Sequence, residues 1–288
     1  MGTQAGDTGS KGTGSKEAKS KAAGPLLPGL EGRIKAVIKK KARGVGVAAR
    51  DLVTGQAILS NAEESFVAAS IIKLPVMIEV YRQARDGRLR LDQPVELKAQ
   101  DKVGGAGILM ELHDGIQLTL EDLLNLMIGI SDNTATNLLI DLVGVENVNR
   151  TMTALGAGGT VLRRKLMIVE LIEKGIQNYV TPRDILMLLE KMVAGQMVDA
   201  GASAAMLEIM KRQQYNEKIP KRLPEGLVIA HKTGDLSRVS HDVGVIYAPG
   251  GPLALCVMTS GIGDVDFANA TIAEITRLIY MGFMAGRP

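Results

Sequence analysis

The sequence predicts an α/β fold of the α+β type, in which an antiparallel sheet from both chain ends is flanked by helices and an all-helical domain is inserted. Strand patterns with turn signals occur near the two ends of the chain, whereas the pattern between residues 62 and 213 is helical. With 288 residues, 46% of them hydrophobic, the chain can bury a sizeable core. We therefore expect a sheet domain from residues 29–61 and 214–288 and a helical domain from residues 62–213.

The first 28 residues are predicted to be a disordered tail or linker. Residues 1–24 are rich in Gly, Ser, Thr, Ala and Lys and offer little to bury. They lack the apolar centre of a signal peptide, and the apolar stretches of the sequence are shorter than a membrane span. The single cysteine, Cys256, cannot form an internal disulfide and lies in an apolar run, so we expect a buried core residue.

The folded part is expected to begin near residue 30 with a helix and a hairpin. Residues 30–43 place apolar side chains at helical spacing and basic side chains on other faces, which predicts a helix with a solvated basic face. Strand patterns follow at 45–51 and 56–60. Thr54-Gly55 between them is a turn signal and predicts a β-hairpin.

The rest of the chain is predicted to be helical and then to return to strands. Helical patterns cover residues 74–82, 118–130, 136–143 and 182–193. Thr181 suits an N-cap and Pro182 the first turn of the last of these helices. Strand patterns cover residues 227–231, 242–248 and 253–259, and a closing helix covers residues 268–281. Pro249-Gly250-Gly251 provides the turn between the last two strands.

Three short polar motifs occur along the chain in a fixed order. They are Ser70-Ile71-Ile72-Lys73, Ser131-Asp132-Asn133 and Lys232-Thr233-Gly234. Each alone is consistent with an ordinary role, as a helix cap with a surface amine, a capping turn or a strand-end turn. All three together indicate an acyl-transfer site, with a nucleophilic serine, amines that take its proton and donors for a carboxylate-bearing substrate.

The positions of the motifs suggest which side chains do the chemistry. In a helix Lys73 shares a face with Ser70, and it can take the serine proton only if burial and a second cation such as Lys232 lower its pKa. The backbone N–H of Ser70, at a helix start, can bind an oxyanion. Ser131 is expected to relay a proton, and Asp132 to hold its loop.

Other residues of the motifs are expected to contact the substrate. Asn133 offers an amide, and Lys232 with Thr233 can bind a carboxylate at the end of the predicted strand. Gly234 lets another backbone approach closely. The backbone N–H of Asp235 then supplies a second oxyanion donor.

With these motifs in this order, the chain resembles the class A β-lactamase family of penicillin-recognising serine hydrolases over roughly residues 30–286. The segments 105–109, 131–137 and 231–244 are also similar to that family. The resemblance implies a β-lactamase/transpeptidase-like fold and acylation of the serine by β-lactams. It implies catalytic roles for Ser70, Lys73, Ser131 and Lys232, and substrate binding by Asn133, Thr233, Gly234, Asp235 and Arg238, the last by neutralising the carboxylate.

Leu166 is the position at which the chain departs most from this family. Class A β-lactamases carry there a glutamate that activates the deacylating water, so the leucine implies weak β-lactam turnover. Glu170 and Glu173 are the nearby candidates for a deacylation base, although both also suit a charged helix surface. Asp235 is a second departure, because an acid beside the carboxylate-binding Lys-Thr pair weakens the site for anions and leaves room for a neutral ester substrate.

Three functions stay open from the sequence. The first is a serine acyl-hydrolase with β-lactamase activity, and the second is a D,D-peptidase, penicillin-binding protein or esterase on the same fold. The third is a non-catalytic peptidoglycan-binding relative. The expected partner is a small molecule, either a β-lactam or a D-Ala-D-Ala-like peptide, and the chain is expected to act as a monomer. Members of the family are usually exported, but no signal peptide is visible, so the compartment is left open.

Composition and spacing argue against other classes of function. A net charge of +3 and an aromatic content of 3% give no basis for nucleic-acid binding. The three histidines, His113, His231 and His241, show no metal-ligand spacing, and no cofactor motif is present, so neither a metal nor a cofactor is expected. His241 and Asp242 are adjacent strand residues that point to opposite faces, which argues against a Ser-His-Asp triad.

Overall fold

The computed structural model describes residues 1–2, 29–41 and 44–287. The tail predicted for residues 1–28 therefore lies outside the described residues, apart from the first two. The helices of the described chain are α1 (Leu30–Lys41), α2 (Lys73–Arg85), α3 (Leu120–Gly129), α4 (Asn133–Val143), α5 (Val145–Leu155), α6 (Val169–Glu173), α7 (Pro182–Val193), α8 (Ala200–Met210) and α9 (Val265–Ala285). Its strands are β1 (Val45–Asp51), β2 (Ala57–Ser60), β3 (Phe66–Val67), β4 (Pro94–Glu96), β5 (Gln117–Thr119), β6 (Tyr179–Val180), β7 (Val228–Leu236), β8 (Val239–Ala248) and β9 (Gly251–Ser260). Across these ranges no helix is both long and apolar enough to span a bilayer.

Five strands from the two ends of the chain form one antiparallel sheet. Its strand order is β2-β1-β9-β8-β7, and each neighbouring pair is antiparallel. The turn between β1 and β2 is closed by a hydrogen bond from the Gly55 N–H to the Asp51 carbonyl at 2.8 Å. The predicted antiparallel sheet and the predicted hairpin are therefore confirmed.

The two faces of this sheet pack against different layers of helices. In β9, Cys256 and Met258 point into the larger apolar core, which the helices between α2 and α8 share. The alternating residues Leu255 and Val257 point into a second core against α1 and α9. Cys256 is fully buried, as predicted, and burial raises the pKa of its thiol. The sheet is thus enclosed between the α1–α9 layer and the middle of the chain.

The middle of the chain is less uniformly helical than the sequence pattern predicts. Two small antiparallel sheets, β3 with β6 and β4 with β5, interrupt it. Side-chain caps also place the first residues of two helices at positions other than those predicted. Thr119 accepts a hydrogen bond from the Asp122 N–H, so α3 begins at Leu120 and not at residue 118. Asp132 accepts from the Ala135 N–H, so α4 begins three residues earlier than expected, directly after the Ser131-Asp132 pair.

The last strands are longer than predicted, and this changes the setting of the third motif. The register of β7 with β8 continues to the pair Leu236–Val239, so Lys232-Thr233-Gly234 lies within a strand and not at its end. The two strands are joined by Ser237-Arg238 alone, with Arg238 in the left-handed region at a φ of 62°. The sequence pattern ends the predicted strand at residue 231 because the polar residues of the motif interrupt the apolar alternation.

Candidate active site

The three motifs meet where the helical layer contacts the edge strand β7. Ser70 lies in a 3-10 turn, Ala69–Ile72, that leads directly into α2, which begins at Lys73. Ala69, directly before the serine, has a φ of 45°. This backbone conformation is energetically unfavourable for a residue other than glycine. The second motif begins α4, and the third lies in β7. The fold therefore brings together residues that are up to 164 positions apart in sequence, from Ser70 to Gly234.

The Ser131 hydroxyl lies between two buried lysine amines. Lys73 Nζ donates to Ser131 Oγ at 3.0 Å, to the Ser131 carbonyl and to Asn133 Oδ1 at 2.9 Å. Lys232 Nζ donates to the same Ser131 Oγ at 3.0 Å and to the Thr233 carbonyl at 2.8 Å. Both lysines are completely buried. A proton can pass from one amine to the other through this single hydroxyl.

Both amines are poised to lose their protons. Burial, and next the positive charge of Lys232, hold the pKa of Lys73 well below its usual value. Burial, and next the charge of Lys218, lower the pKa of Lys232 to about 7. Both influences, burial and the second cation, act on Lys73 in the direction expected from the sequence. A lysine with a lowered pKa is able to act as a general base near neutral pH.

Asp132 holds the loop that carries the second motif. Its Oδ2 accepts from the backbone N–H groups of Ile108 at 2.7 Å and Leu109 at 2.9 Å, and its Oδ1 caps α4. Asn133 donates from Nδ2 to the Gly104 carbonyl at 3.0 Å. The segment 104–109 is thus tied to the start of α4. Asp132 is a loop anchor, as predicted from its residue type.

Gly234 allows β7 to lie against the turn that carries the nucleophile. A Cβ at this position would be 3.1 Å from Ile71 Cγ1, 3.2 Å from the Ser70 backbone nitrogen and 3.3 Å from Ala69 Cβ. These separations are too close for an unstrained side chain. The glycine therefore permits the close backbone approach predicted for it, beside the N–H group expected to bind an oxyanion.

Asp235, which follows Gly234, is paired with a lysine that the sequence analysis missed. Lys218 Nζ is 2.7 Å from both Oδ1 and Oδ2 of Asp235, and it also donates to the His241 carbonyl at 3.1 Å. The Lys218 side chain is only 4% exposed. No motif marks it, because it lies in the irregular segment between α8 and β7. The acid beside the Lys-Thr pair is thus offset by a buried cation.

Ser70 opens into a pocket of about 220 Å³ that Leu166 also lines. The pocket is lined by Val67, Ala69, Ser70, Gly105, Ala106, Asn133, Arg164, Leu166, Met167, Ile172, Gln177, Asn178, Asp235 and Leu236. The backbone of Leu166 is fixed by Asn137, which donates to its carbonyl at 3.0 Å and accepts from its N–H at 2.8 Å. The leucine side chain belongs to the large apolar core and is 9% exposed. A hydrophobic group therefore occupies this part of the lining in a fixed position.

Three residues singled out from the sequence lie away from this pocket. Glu170 and Glu173 in α6 are exposed, and Glu170 pairs with Lys174 four residues on. Neither glutamate lines the pocket, which agrees with the helix-surface alternative and not with a deacylation base. Arg238 turns outward at the β7–β8 hairpin, where it donates to the Gly261 carbonyl at 2.9 Å. The tight two-residue turn directs it away from the lysine pair.

The histidines form a separate arrangement. His231 Nδ1 is 3.0 Å from Asp242 Oδ1 across the β7–β8 pair, and neither residue lines the pocket. His241 is buried and its Nε2 is 2.9 Å from the Val67 carbonyl, and burial lowers its pKa to about 4. Among residues 29–41 and 44–287, no group of three or more His, Cys, Asp or Glu side chains is arranged to hold a metal ion.

Known proteins share this architecture over most of the chain. A model of the beta-lactamase enzyme family matches residues 29–283. A beta-lactamase from Sphaerobacter thermophilus is 36% identical with a TM-score of 0.83, and the match covers 90% of this chain and 98% of that one. A beta-lactamase from Streptomyces fradiae is 28% identical over 277 residues, which is 91% of this chain and 90% of that protein.

A further similar structure is that of PBP-A. A leucine-to-glutamate mutant of that protein, described as an acyl-enzyme complex with penicillin G, has a TM-score of 0.84 and 26% identity, covering 92% of this chain and all of that one. The family match, the similar structures and the serine–lysine geometry agree with one another. This protein is a serine hydrolase that works through an acyl-enzyme, and it belongs to the beta-lactamase enzyme family.

Proposed function

We propose that Ser70 is acylated by β-lactams and that the acyl group leaves slowly. The observation that carries this proposal is that buried Leu166 lines the same pocket as Ser70, at the position where the resemblance would place a water-activating acid. Among the described lining residues the acidic side chain is Asp235, and Lys218 pairs with it. Water that enters this pocket after the acyl-enzyme has formed therefore lacks a carboxylate base.

Acylation itself has the groups that it needs. Ser70 Oγ attacks the lactam carbonyl carbon and gives its proton to a neutral Lys73, whose lowered pKa favours that form. The proton then passes through Ser131 Oγ to the lactam nitrogen as the carbon–nitrogen bond breaks. The backbone N–H groups of Ser70 and Asp235 hold the developing oxyanion. The product of this step is an ester on Ser70.

The substrate is expected to carry a carboxylate. In our proposal Lys232 and Thr233 bind that group. The expectation that Asp235 weakens the site for anions did not take its partner into account. Because Lys218 neutralises that acid at 2.7 Å, the geometry supports a carboxylate-bearing substrate better than a neutral ester.

The group beside the reacting carbonyl is expected to be apolar. The polar side chains of the lining are engaged with the protein itself. Asn178 bonds the backbone of residues 163 and 164, and Arg164 donates to the Ile176 carbonyl and to the Gln177 side chain. The surface left for a substrate is that of Leu166 and its apolar neighbours. A benzyl-like acyl side chain suits this surface better than a charged one.

A D,D-peptidase acting on D-Ala-D-Ala-like peptides is the second candidate. The same observation favours it, because Leu166 removes the base of β-lactam hydrolysis without touching the acylation machinery. The likeness to PBP-A supports it as well. Release of D-Ala from a peptide, measured beside penicillin acylation, separates this candidate from a weak β-lactamase.

Intact mass after mixing with penicillin G tests the proposal. We expect a penicilloyl adduct on Ser70 that persists for hours. Leu166→Glu should shorten its lifetime, because Asn137 keeps the backbone in place and partial burial raises the pKa of the new carboxyl toward that of a useful base. Leu166→Gln is the matched control and should leave the adduct long-lived. Rapid clearance by the unaltered protein, with accumulating penicilloate, would overturn slow release.

A further inference from the structure

A second cleft, of about 380 Å³, lies between α2 and α5. It is lined by Arg82, Arg88, Asn147, Arg150, Thr151 and Ala154. The residues of this cleft are distinct from those that line the pocket around Ser70. Arg82 follows Lys73 by nine residues in α2, which corresponds to about 14 Å along the helix axis. The cleft is therefore a separate feature of the molecule.

The walls of the cleft are fixed before any ligand arrives. On the α2 side, the fully buried Glu79 accepts two hydrogen bonds from Arg82, at 2.8 and 2.6 Å. On the α5 side, Asn147, Thr151 and Ala154 follow at helical spacing and share one face. Thr151 donates to Glu79 Oε2 at 2.6 Å, which ties the two helices together. Such a preformed cavity lowers the ordering cost of binding.

Positive charge in this cleft exceeds negative charge. Arg82 shares its charge between Glu79 and Asp86, and Asp86 also pairs with Arg85. Within the described ranges, neither Arg88 nor Arg150 forms an ion pair, although Arg150 donates to the Asn147 side chain. Three of the six residues that line the cleft are arginines, and none of the six is acidic. Arg88 and Arg150 thus leave an excess of positive charge at the cleft, and the charge of Asp86, which Arg82 and Arg85 share, offsets only part of it.

We propose that this cleft binds a small soluble anion that bears a phosphate group, such as pyrophosphate or a phosphate ester. Arg88 and Arg150 bind the phosphate oxygens, and Arg82 forms the rear wall. The planar guanidinium group presents paired N–H donors that match phosphate oxygens, and such charge-assisted bonds are stronger than neutral ones. The site goes beyond the acyl-transfer function and does not depend on it.

Calorimetric titration with pyrophosphate at constant ionic strength tests the site. We expect saturable binding to the unaltered protein and at least tenfold weaker binding to the double variant Arg88→Gln/Arg150→Gln, a difference of about 1.4 kcal/mol. The matched control Arg33→Gln/Arg90→Gln removes the same charge from exposed positions outside the cleft and should bind normally. The rate of penicillin acylation should be the same in all three proteins, which shows that the variants are folded.

Three results would overturn the proposal. One is the absence of saturable binding, and another is undiminished binding by the Arg88/Arg150 variant. The third is an equal loss in the Arg33/Arg90 control, which would indicate attraction by net charge alone. Vesicles of phosphatidylglycerol serve as a second probe. Vesicle binding through Arg88 and Arg150 without pyrophosphate binding would assign the cleft to a lipid headgroup and contradict a small soluble ligand.

Discussion

The Lys218 ammonium lies 2.7 Å from both carboxylate oxygens of Asp235, and this pair lies at the wall of the pocket around Ser70. Lys218 is buried, whereas the Asp235 side chain is 49% exposed and faces the pocket. The charge of Lys218 also lowers the pKa of Lys232, after the larger effect of burial. One lysine outside the three motifs thus acts on the charge of the pocket lining and on the pKa of Lys232.

Removing this lysine should weaken the use of anionic substrates. In Lys218→Gln, Asp235 keeps its negative charge without a partner and repels the substrate carboxylate. We expect the second-order rate constant for penicillin acylation to fall about tenfold, which corresponds to about 1.4 kcal/mol. Stopped-flow measurement with a chromogenic β-lactam gives this constant.

A double variant separates this charge effect from a loss of packing. Lys218→Gln/Asp235→Asn carries neither charge and should recover most of the lost rate. A double variant as slow as the single one would show that Lys218 acts through the structure of its loop and not through Asp235.

Acylation should depend on pH near neutrality. Lys232 has a pKa of about 7, so it gains a proton as the pH falls through that value. The added positive charge on Lys232 further disfavours protonation of Lys73. It also lowers the proton affinity of the Ser131 hydroxyl, which both amines contact, and so changes the rate of proton transfer from Ser131 to the leaving nitrogen. We expect an inflection near pH 7 in the acylation rate, and Lys232→Arg, which stays protonated, should lack it. An unchanged inflection in the arginine variant would exclude Lys232 as its source.

The free energy of unfolding should also depend on pH through the buried amine of Lys232. The pKa of Lys232 is about 7 in the folded protein and near the ordinary 10.5 in the unfolded chain. Between these values the unfolded state binds more protons, so the free energy of unfolding rises with pH from about 7 to 10.5. Urea unfolding at several pH values measures this rise, which should be smaller in Lys232→Met. A rise of equal size in both proteins would contradict the lowered pKa.

The close approach at Gly234 gives a geometric test. In Gly234→Ala the new methyl group must push β7 away from the Ser70 turn by a few tenths of an ångström. We expect acylation to slow about tenfold, because oxyanion donors act only at short range. Gly263→Ala is a suitable control, since a Cβ there meets nothing within 4 Å. Equal rates in both variants would mean that the approach has no catalytic role.

Replacing Ser70 should reduce acylation more severely than replacing Lys73. Ser70→Ala removes the attacking oxygen and should abolish the penicilloyl adduct in intact mass spectra. Lys73→Ala should retain a trace of adduct, formed orders of magnitude more slowly, because Ser70 keeps its hydroxyl but loses its base. Normal acylation of the Ser70 variant would contradict the assignment of the nucleophile.

The sequence predicts those parts of the structure that depend on local patterns. The β1–β2 hairpin follows from Thr54-Gly55, and the meeting of the three motifs follows from their resemblance to a known family. Lys218 could not be found in this way. Lys218 lies in the irregular segment before β7, where no spacing rule applies, and its role arises from a contact with Asp235, 17 residues further on within that strand.

Other differences come from polar residues inside regular elements. Strand β7 continues to Leu236 because β8 supplies hydrogen bonds along its whole length, although its sequence lacks apolar alternation beyond His231. The outward position of Arg238 follows from the two-residue hairpin that this longer strand imposes. In both cases tertiary pairing outweighs local preference.

The central place of β9 in the sheet has a consequence for how the protein is made. Strand β1 pairs with β9 in a register that joins Val47 to Val257, so its partner is synthesised about 200 residues later. Until then the hairpin has an unpaired edge, and the helical segments between must form without the sheet beneath them. Such a high contact order favours slow folding after synthesis of the last strand. A truncated nascent chain ending before residue 251 would expose that edge and be prone to aggregation.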